Sequence, residues 1–377
     1  RLLESRSFPT TPLGLRRLAD WLTRFGTVAR VGVEGTGTYG LGLQRVLQAR
    51  GIDVIEVNRP NRQLRRARGK SDTVDAEAAA RAVLAGHATV IPKARDGIVE
   101  SIRVLKVARD STRRNRQRIS GQLRHLVLTA PEPVRLEVTG LTEKALVARA
   151  ARYRLGDDPA DLITATKTAL RTLARQHQLL TADLAALRNQ LDTLTARANP
   201  SLRQLCGVGP DCAAALLITA GDNPDRIRSE AAFAALCGAS PIEASSGKVR
   251  HHRLNRGGDR HANAALHTIV LVRMSCHQPT RDYIARRTTE GKSKRAIMRA
   301  LKRYLAREIY HELVHPQPAQ NTDDLRTRRQ ALHQSMHTVA EELDTTIMTV
   351  SRLERGLAHN RDLTTRYHQW LDHTETA

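Results

Sequence analysis

Apolar residues recur at helical spacing from Leu13 to Phe25, then close into a short run, Val28 to Glu34, that reads as a buried strand. The tight turn Gly35-Thr36-Gly37-Thr38-Tyr39-Gly40 leads into a helix ending near Arg50, and Gly51 to Val57 reads as a second strand. Helix and strand alternating through short connections predict parallel neighbours. A further helix starts at Asp72 and runs to about Leu84. The opening residues, Arg1 to Arg6, read as a strand already under way.

Residues 98–128 predict a basic helix with an apolar stripe of Ile102, Leu105, Ile119, Leu123 and Leu126. From 162 to 198 the pattern becomes a heptad: Leu170, His177, Leu184, Leu191 and Ala198 form one row, and Leu173, Leu180, Leu187 and Leu194 a second, offset by three. That is the a/d seam of a coiled coil, either folded back on the preceding helices or joining two subunits. Pro200 ends it. A mostly helical domain follows over 201–315, then a linker at 316–322. The tail, 323–377, carries short amphipathic stretches around Leu325, at Val339-Ala340-Glu341-Glu342-Leu343, and from Ile347 to Gly356. The fold class is therefore multidomain: an α/β domain over 1–97, basic helices and a coiled coil over 98–200, a helical domain, and a helical tail.

Charge narrows the function. The 377 residues carry 61 Lys and Arg against 38 Asp and Glu, a formal charge of +23. Such a chain meets a polyanion, with nucleic acid the leading candidate. No apolar run reaches transmembrane length and no signal peptide is visible, which sets aside a membrane role. Cys206, Cys212, Cys237 and Cys276 show no CxxC spacing, so they read as reduced thiols and argue against zinc.

Four stretches carry candidate chemistry. Asp72 and Asp75, three residues apart, share one face of their helix. They are either an N-cap with its capping-box partner or a pair of metal ligands. Ahead of them Arg59, Arg62, Arg65, Arg66, Arg68 and Lys70 form a run of cations suited to a phosphate backbone. Gly207-Val208-Gly209-Pro210 resembles a helix-hairpin-helix turn that could hold a DNA phosphate, or is an ordinary turn with Pro at the first helical position. Ser245 and Ser246 precede Gly247, with Lys248, His251, His252, Arg253 and Arg256 close behind. A hydroxyl in that cationic setting could attack a phosphate. In the tail, a short helix, the turn Asp344-Thr345-Thr346, and a helix with Thr349 and Arg352 outward predict a helix-turn-helix.

Val33-Glu34-Gly35-Thr36-Gly37-Thr38-Tyr39-Gly40, Lys70-Ser71-Asp72-Thr73-Val74-Asp75-Ala76-Glu77, the heptad helix, Gly-Val-Gly-Pro and Ala244-Ser245-Ser246-Gly247 occur in this order. Together they resemble the IS110 family of insertion-sequence transposases. The tail, with Val350-Ser351-Arg352-Leu353-Glu354-Arg355-Gly356, resembles the lambda-repressor-like helix-turn-helix family, which a typical IS110 member lacks. The first resemblance implies an RNase H fold (RuvC-like) domain, here lacking its first strands, with a DEDD carboxylate set that binds Mg²⁺. It assigns Glu34, Asp72 and Asp75 to that set and a serine nucleophile to Ser245 or Ser246, Ser245 being the first choice. It also implies DNA as substrate, a non-coding bridge RNA as guide, dimers or tetramers, and a cytoplasmic, nucleoid-associated location. The family's first aspartate has no counterpart, since Asp20 falls in a helix, so the chain is expected to begin inside its first domain. Two other functions remain: an inactive relative that occupies DNA as a repressor or transposition inhibitor, and a Holliday-junction nuclease using carboxylates and water alone.

Overall fold

The computed structural model describes residues 2–58, 71–249, 251–318, 321–356 and 360–376. The chain divides into two units, Arg1–Arg95 with Ala220–Arg228, and Asp96–Thr219 with Ser229–Ala377.

In the first unit, α1 (Pro12–Thr23) opens on Thr11, whose Oγ1 accepts from Gly14 N at 3.1 Å, with Pro12 at the first helical position. β1 (Arg30–Glu34) and β2 (Asp53–Val57) pair in parallel, Arg30 opposite Asp53 and Glu34 opposite Val57. α2 (Leu41–Gln48) makes the crossover between them. Val33, Leu47, Ile52 and Val54 close a small core with Ala19. α3 (Asp72–Leu84) packs on β1. Residues 2–9 are not a strand. Among the described residues they have no ladder to join, and a strand whose backbone groups lack a partner is not held. Leu2 and Leu3 are accordingly exposed.

The second unit is helical. α4 (Ile98–Thr129) runs beside α7 (Leu162–Ala198), with α5 (Glu132–Val138) and α6 (Glu143–Ala150) between them in sequence. Ile119 and Leu123 of α4 meet Leu170 and Ala174 of α7 in one buried cluster. Within this chain, then, α7 packs along α4. Asn199 ends α7 and caps α8 (Pro200–Gln204), accepting from Leu202 N at 2.8 Å. There follow α9 (Pro210–Ala220), α10 (Glu230–Leu236), the two-stranded hairpin β3 (Ile242–Glu243) and β4 (His252–Arg253), α11 (Arg260–Cys276), α12 (Gln278–Thr289) and α13 (Lys294–Val314). Leu202, Leu216, Phe233, Leu266, Ile269 and Ile309 are fully buried among them. The four cysteines are free thiols, and burial pushes the Cys206 and Cys237 thiols up to about 12.

The tail adds α14 (Leu325–Ala331), α15 (Met336–Glu342), α16 (Ile347–Glu354) and α17 (Arg361–Thr376) around Val339, Val350, Leu353, Leu363 and Tyr367. One polar network lies within this cluster. Arg329 donates to both carboxylate oxygens of Glu354, at 2.6 and 3.0 Å, and the Tyr367 hydroxyl donates to the same carboxylate at 2.7 Å. The Arg329 and Glu354 side chains are only 9% and 3% exposed.

Two predictions follow from burial. Replacing Arg329 with Met strands the Glu354 carboxylate without its charge partner, which typically costs about 3–5 kcal/mol. Hydrogen exchange over residues 325–371 should accelerate by orders of magnitude in that variant while exchange in α4 and α7 stays unchanged.

His177 holds a seam position between Leu170 and Leu184. Burial lowers its pKa from 6.5, against the pull of Glu143 at 3.5 Å, and the Arg116 charge adds to the lowering. The unfolded chain therefore binds the proton more readily, and stability falls as pH drops through 6.5. His177→Leu should be more stable than the parent, by a margin that widens between about pH 7.5 and about pH 5.5 in denaturant titrations.

Candidate functional site

The carboxylates are placed by a glycine. A Cβ on Gly32 would lie 2.9 Å from the Ala79 carbonyl oxygen and 2.9 Å from Val83 Cγ2. The missing side chain lets the α3 backbone sit directly on β1. Glu34 is two residues along the strand from Gly32 and so shares its face, while Asp75 is one turn before Ala79 on the same helical stripe. Glu34 thus lies just past the close approach on the strand, and Asp75 one turn before it on the helix. Both are half-buried, and Asp72, a further turn out, is exposed.

Neither aspartate is needed as the cap. Ser71 is the N-cap, its Oγ accepting from Val74 N at 3.3 Å, which puts Asp72 at the first helical position. The all-oxygen donor set suits Mg²⁺. Its convergence is incomplete: among the described residues no three His, Cys, Asp or Glu side chains stand close enough to hold a metal ion. The cations Arg62, Arg65, Arg66, Arg68 and Lys70 lie outside the described residues.

The serines occupy the hairpin of the second unit, not a featureless loop. Ile242 pairs with Arg253 and Glu243 with His252, and Ser246 bridges Val249 across a two-residue turn in which Gly247 has φ +55°. The hairpin's base is pinched: a Cβ on Gly258 would stand 2.3 Å from Gly238 N. Asn255 Nδ2 donates to the Ala235 carbonyl at 3.0 Å, and Asn263 Nδ2 to the Cys237 carbonyl at 2.9 Å. Asp259 caps α11, accepting from His261 N at 2.8 Å and from Thr219 Oγ1 at 2.9 Å. Beyond this anchored base Ser245, Ser246, Lys248, His251, His252, Arg253 and Arg256 are all exposed. Ser245 Oγ is oriented by the opposite strand, accepting from His251 N at 3.2 Å.

A transposase family model matches residues 1–130, spanning the Gly32-mounted carboxylates, and that of the Transposase IS116/IS110/IS902 family matches 199–285, spanning the serine hairpin. The chain belongs to the IS110 family of insertion-sequence transposases. The two matches together span more than half of the transposase and leave the tail unmatched. No curated protein matches it.

Gly207 and Gly209 of this transposase do form a turn at the start of α9. Gly207 has φ +83°, a conformation that favours glycine, and Arg273 fixes the turn by donating to the Cys206 carbonyl at 2.8 Å while gripping Glu308 at 2.7 and 2.9 Å. Pro210 is the first helical residue, as the ordinary-turn reading also requires. On α16, Thr349 is half-buried and its hydroxyl lies 2.8 Å from that of Thr346, while Arg352 is exposed. Gly207, Gly209 and Arg352, widely spaced in sequence, line one cleft of about 1110 Å³. Arg188 and Arg203 line it too and escaped sequence reading, the first inside a heptad and the second inside a short buried helix.

Gly32→Ala should cost about 1–3 kcal/mol, because the new methyl meets backbone that cannot yield without moving α3. Gly121→Ala, at a helical position with open space around it, should be neutral or stabilising. Chemical denaturation of the two variants beside the parent checks both.

Proposed function

We propose that this IS110-family transposase cuts and rejoins DNA through a serine–phosphate intermediate, with Ser245 as nucleophile. The observation that supports the choice is the hairpin: Ser245 Oγ is held by the backbone of the opposite strand, accepting from His251 N at 3.2 Å. In the step, Ser245 Oγ bonds to phosphorus, the hydroxyl proton departs, and the bridging P–O bond to one neighbouring sugar breaks, that oxygen taking up a proton. Rejoining is the reverse, with a sugar hydroxyl displacing the serine. Lys248, Arg253 and Arg256 stand where they can offset phosphate charge during the attack.

Glu34, Asp72 and Asp75 are proposed as ligands of Mg²⁺, which when bound would neutralise phosphate oxygens and orient them. The RNase H-like reading of the first unit is supported by a carboxylate strand end beside a carboxylate helix start. Bridge-RNA guidance and assembly into dimers or tetramers, by α7 or otherwise, rest on the family. The arginine run at 59–70 is proposed as a contact to the nucleic-acid backbone. In the tail, α15, the turn at Asp344 and α16 are read as a helix-turn-helix, with Thr349 and Arg352 available to bases or phosphates. That tail also supports the second reading, a DNA-bound repressor, which needs no strand cleavage.

A covalent-adduct assay separates the readings. The chain is incubated with junction DNA of its element, flanking RNA and Mg²⁺, then resolved on a denaturing gel. A shifted band that vanishes in Ser245→Ala and survives in Ser246→Ala is expected. Adduct retained by Ser245→Ala would overturn the assignment, and DNA binding with no adduct in any variant would leave the repressor.

A further inference from the structure

We propose that the tail and the body of this transposase grip one DNA duplex together, through the cleft that Arg352 shares with α4, α7 and the Gly207–Gly209 turn. The inference rests on the reading of the protein as DNA-acting, and goes beyond it by naming a single continuous backbone site that includes the added tail.

Six arginines line the cleft: Arg109, Arg113 and Arg116 on α4, Arg188 on α7, Arg203 on α8 and Arg352 on α16. Its lining contains one carboxylate, Asp192, already engaged by Arg203 at 2.6 Å. Arg109 is likewise occupied, by Asp110 at 3.3 Å and by Asp211. Asp110 shows the local field. Burial opposes its ionisation, yet the Lys106 hydrogen bond and the charges of Lys106, Arg109 and Arg113 hold it below the usual carboxylate range. Arg113, Arg116, Arg188 and Arg352 have no carboxylate within salt-bridge distance among the described residues. Four uncompensated guanidinium groups facing one space are a binding surface for a polyanion, since each added anion relieves their mutual repulsion.

The opening of α9 contributes the backbone N–H groups of a helix start to the same space. The shape of the donors selects duplex DNA. Arg352 projects from the exposed face of a short helix, a shape that the wide major groove of B-form DNA admits and the deep, narrow major groove of A-form RNA does not. The paired arginines Arg109 and Arg203 hold the walls, and the four unpaired ones supply the phosphate contacts.

The tail is bonded to the body. Arg361, at the start of α17, grips Glu312 of α13 with contacts of 2.7 and 3.4 Å, and Asn199 at the end of α7 donates to the Glu312 carbonyl at 2.7 Å. The same element that ends the Arg188 helix is thus bonded to the element that anchors the tail.

The test is a salt titration of the full chain. A 30-base-pair random-sequence DNA duplex and an RNA duplex of the same sequence are bound at several salt concentrations, with stoichiometry measured at low salt. The expected result is one DNA duplex per chain or per assembled oligomer. Arg188→Ala and Arg352→Ala should each flatten the plot of log affinity against log salt by about 0.9, and the double variant by about twice that. Arg352→Lys and Arg188→Lys should restore the slope, because both residues are exposed and the retained charge is what counts. Two independent duplexes per chain, an unchanged slope in either alanine variant, or the same slope loss on RNA would overturn the shared DNA cleft while leaving DNA binding in place. Failure of the parent chain to bind either duplex would instead overturn the DNA-acting reading itself.

Discussion

The apolar seam between α4 and α7 is the contact on which the second unit depends. Both helices carry arginines toward the same side, so their approach is opposed electrostatically. Two such charges 4 Å apart repel by about 1 kcal/mol in bulk water and about 4 kcal/mol near a protein surface, less at longer range and less again in salt. Each fully buried Leu or Ile contributes about 1.5–3 kcal/mol. Ile119, Leu123 and Leu170, each at most 4% exposed, therefore outweigh the repulsion. The seam does more than stabilise: it fixes Arg113, Arg116 and Arg188 at the edge of one space, where they remain uncompensated. Stability is drawn from apolar contact, leaving the charges available to a partner.

The two proposed sites share a device, a glycine that lets backbone meet backbone. At Gly32 it seats α3 on β1. At Gly238 and Gly258 it pinches the base of the serine hairpin. In both places the candidate side chains lie within several residues of the close approach along the chain. That is how a chain with so few aromatics, 3% of residues, holds polar groups in position without large buried side chains around them.

Much of this was legible because it is local. α3 begins at Asp72 and α7 covers 162–198 as the periodicity predicts, and the parallel pairing of β1 and β2 follows from the crossover between them. What escaped is what depends on distant partners. Arg1 to Arg6 read as a strand already under way, but residues 2–9 have no ladder among the described residues. Ser71 took the capping role for which Asp72 was the candidate, because an extended hydroxyl one position earlier reaches Val74 N. The serine hairpin is held by Gly238, Gly258 and Asn255, none of which forms a strand pattern. Arg188 lies inside the heptad helix with no site pattern around it, and only folding brings it to the same cleft as Gly207 and Arg352.

The tail illustrates how an appended segment can become part of a site. Its own core closes around Tyr367 and the buried Arg329–Glu354 pair, so its helices have a fixed arrangement before any partner binds. The Arg361–Glu312 pair, with side chains 27% and 12% exposed, then ties that fixed arrangement to α13. A partly buried bidentate pair is directional where a surface pair is not. Here it ties α17 to α13, in the same tail whose α16 carries Arg352 to the cleft. Pre-organisation of this kind lowers the ordering cost of binding, which is why the arginine of the tail and those of α4 and α7 are better understood as one surface than as two.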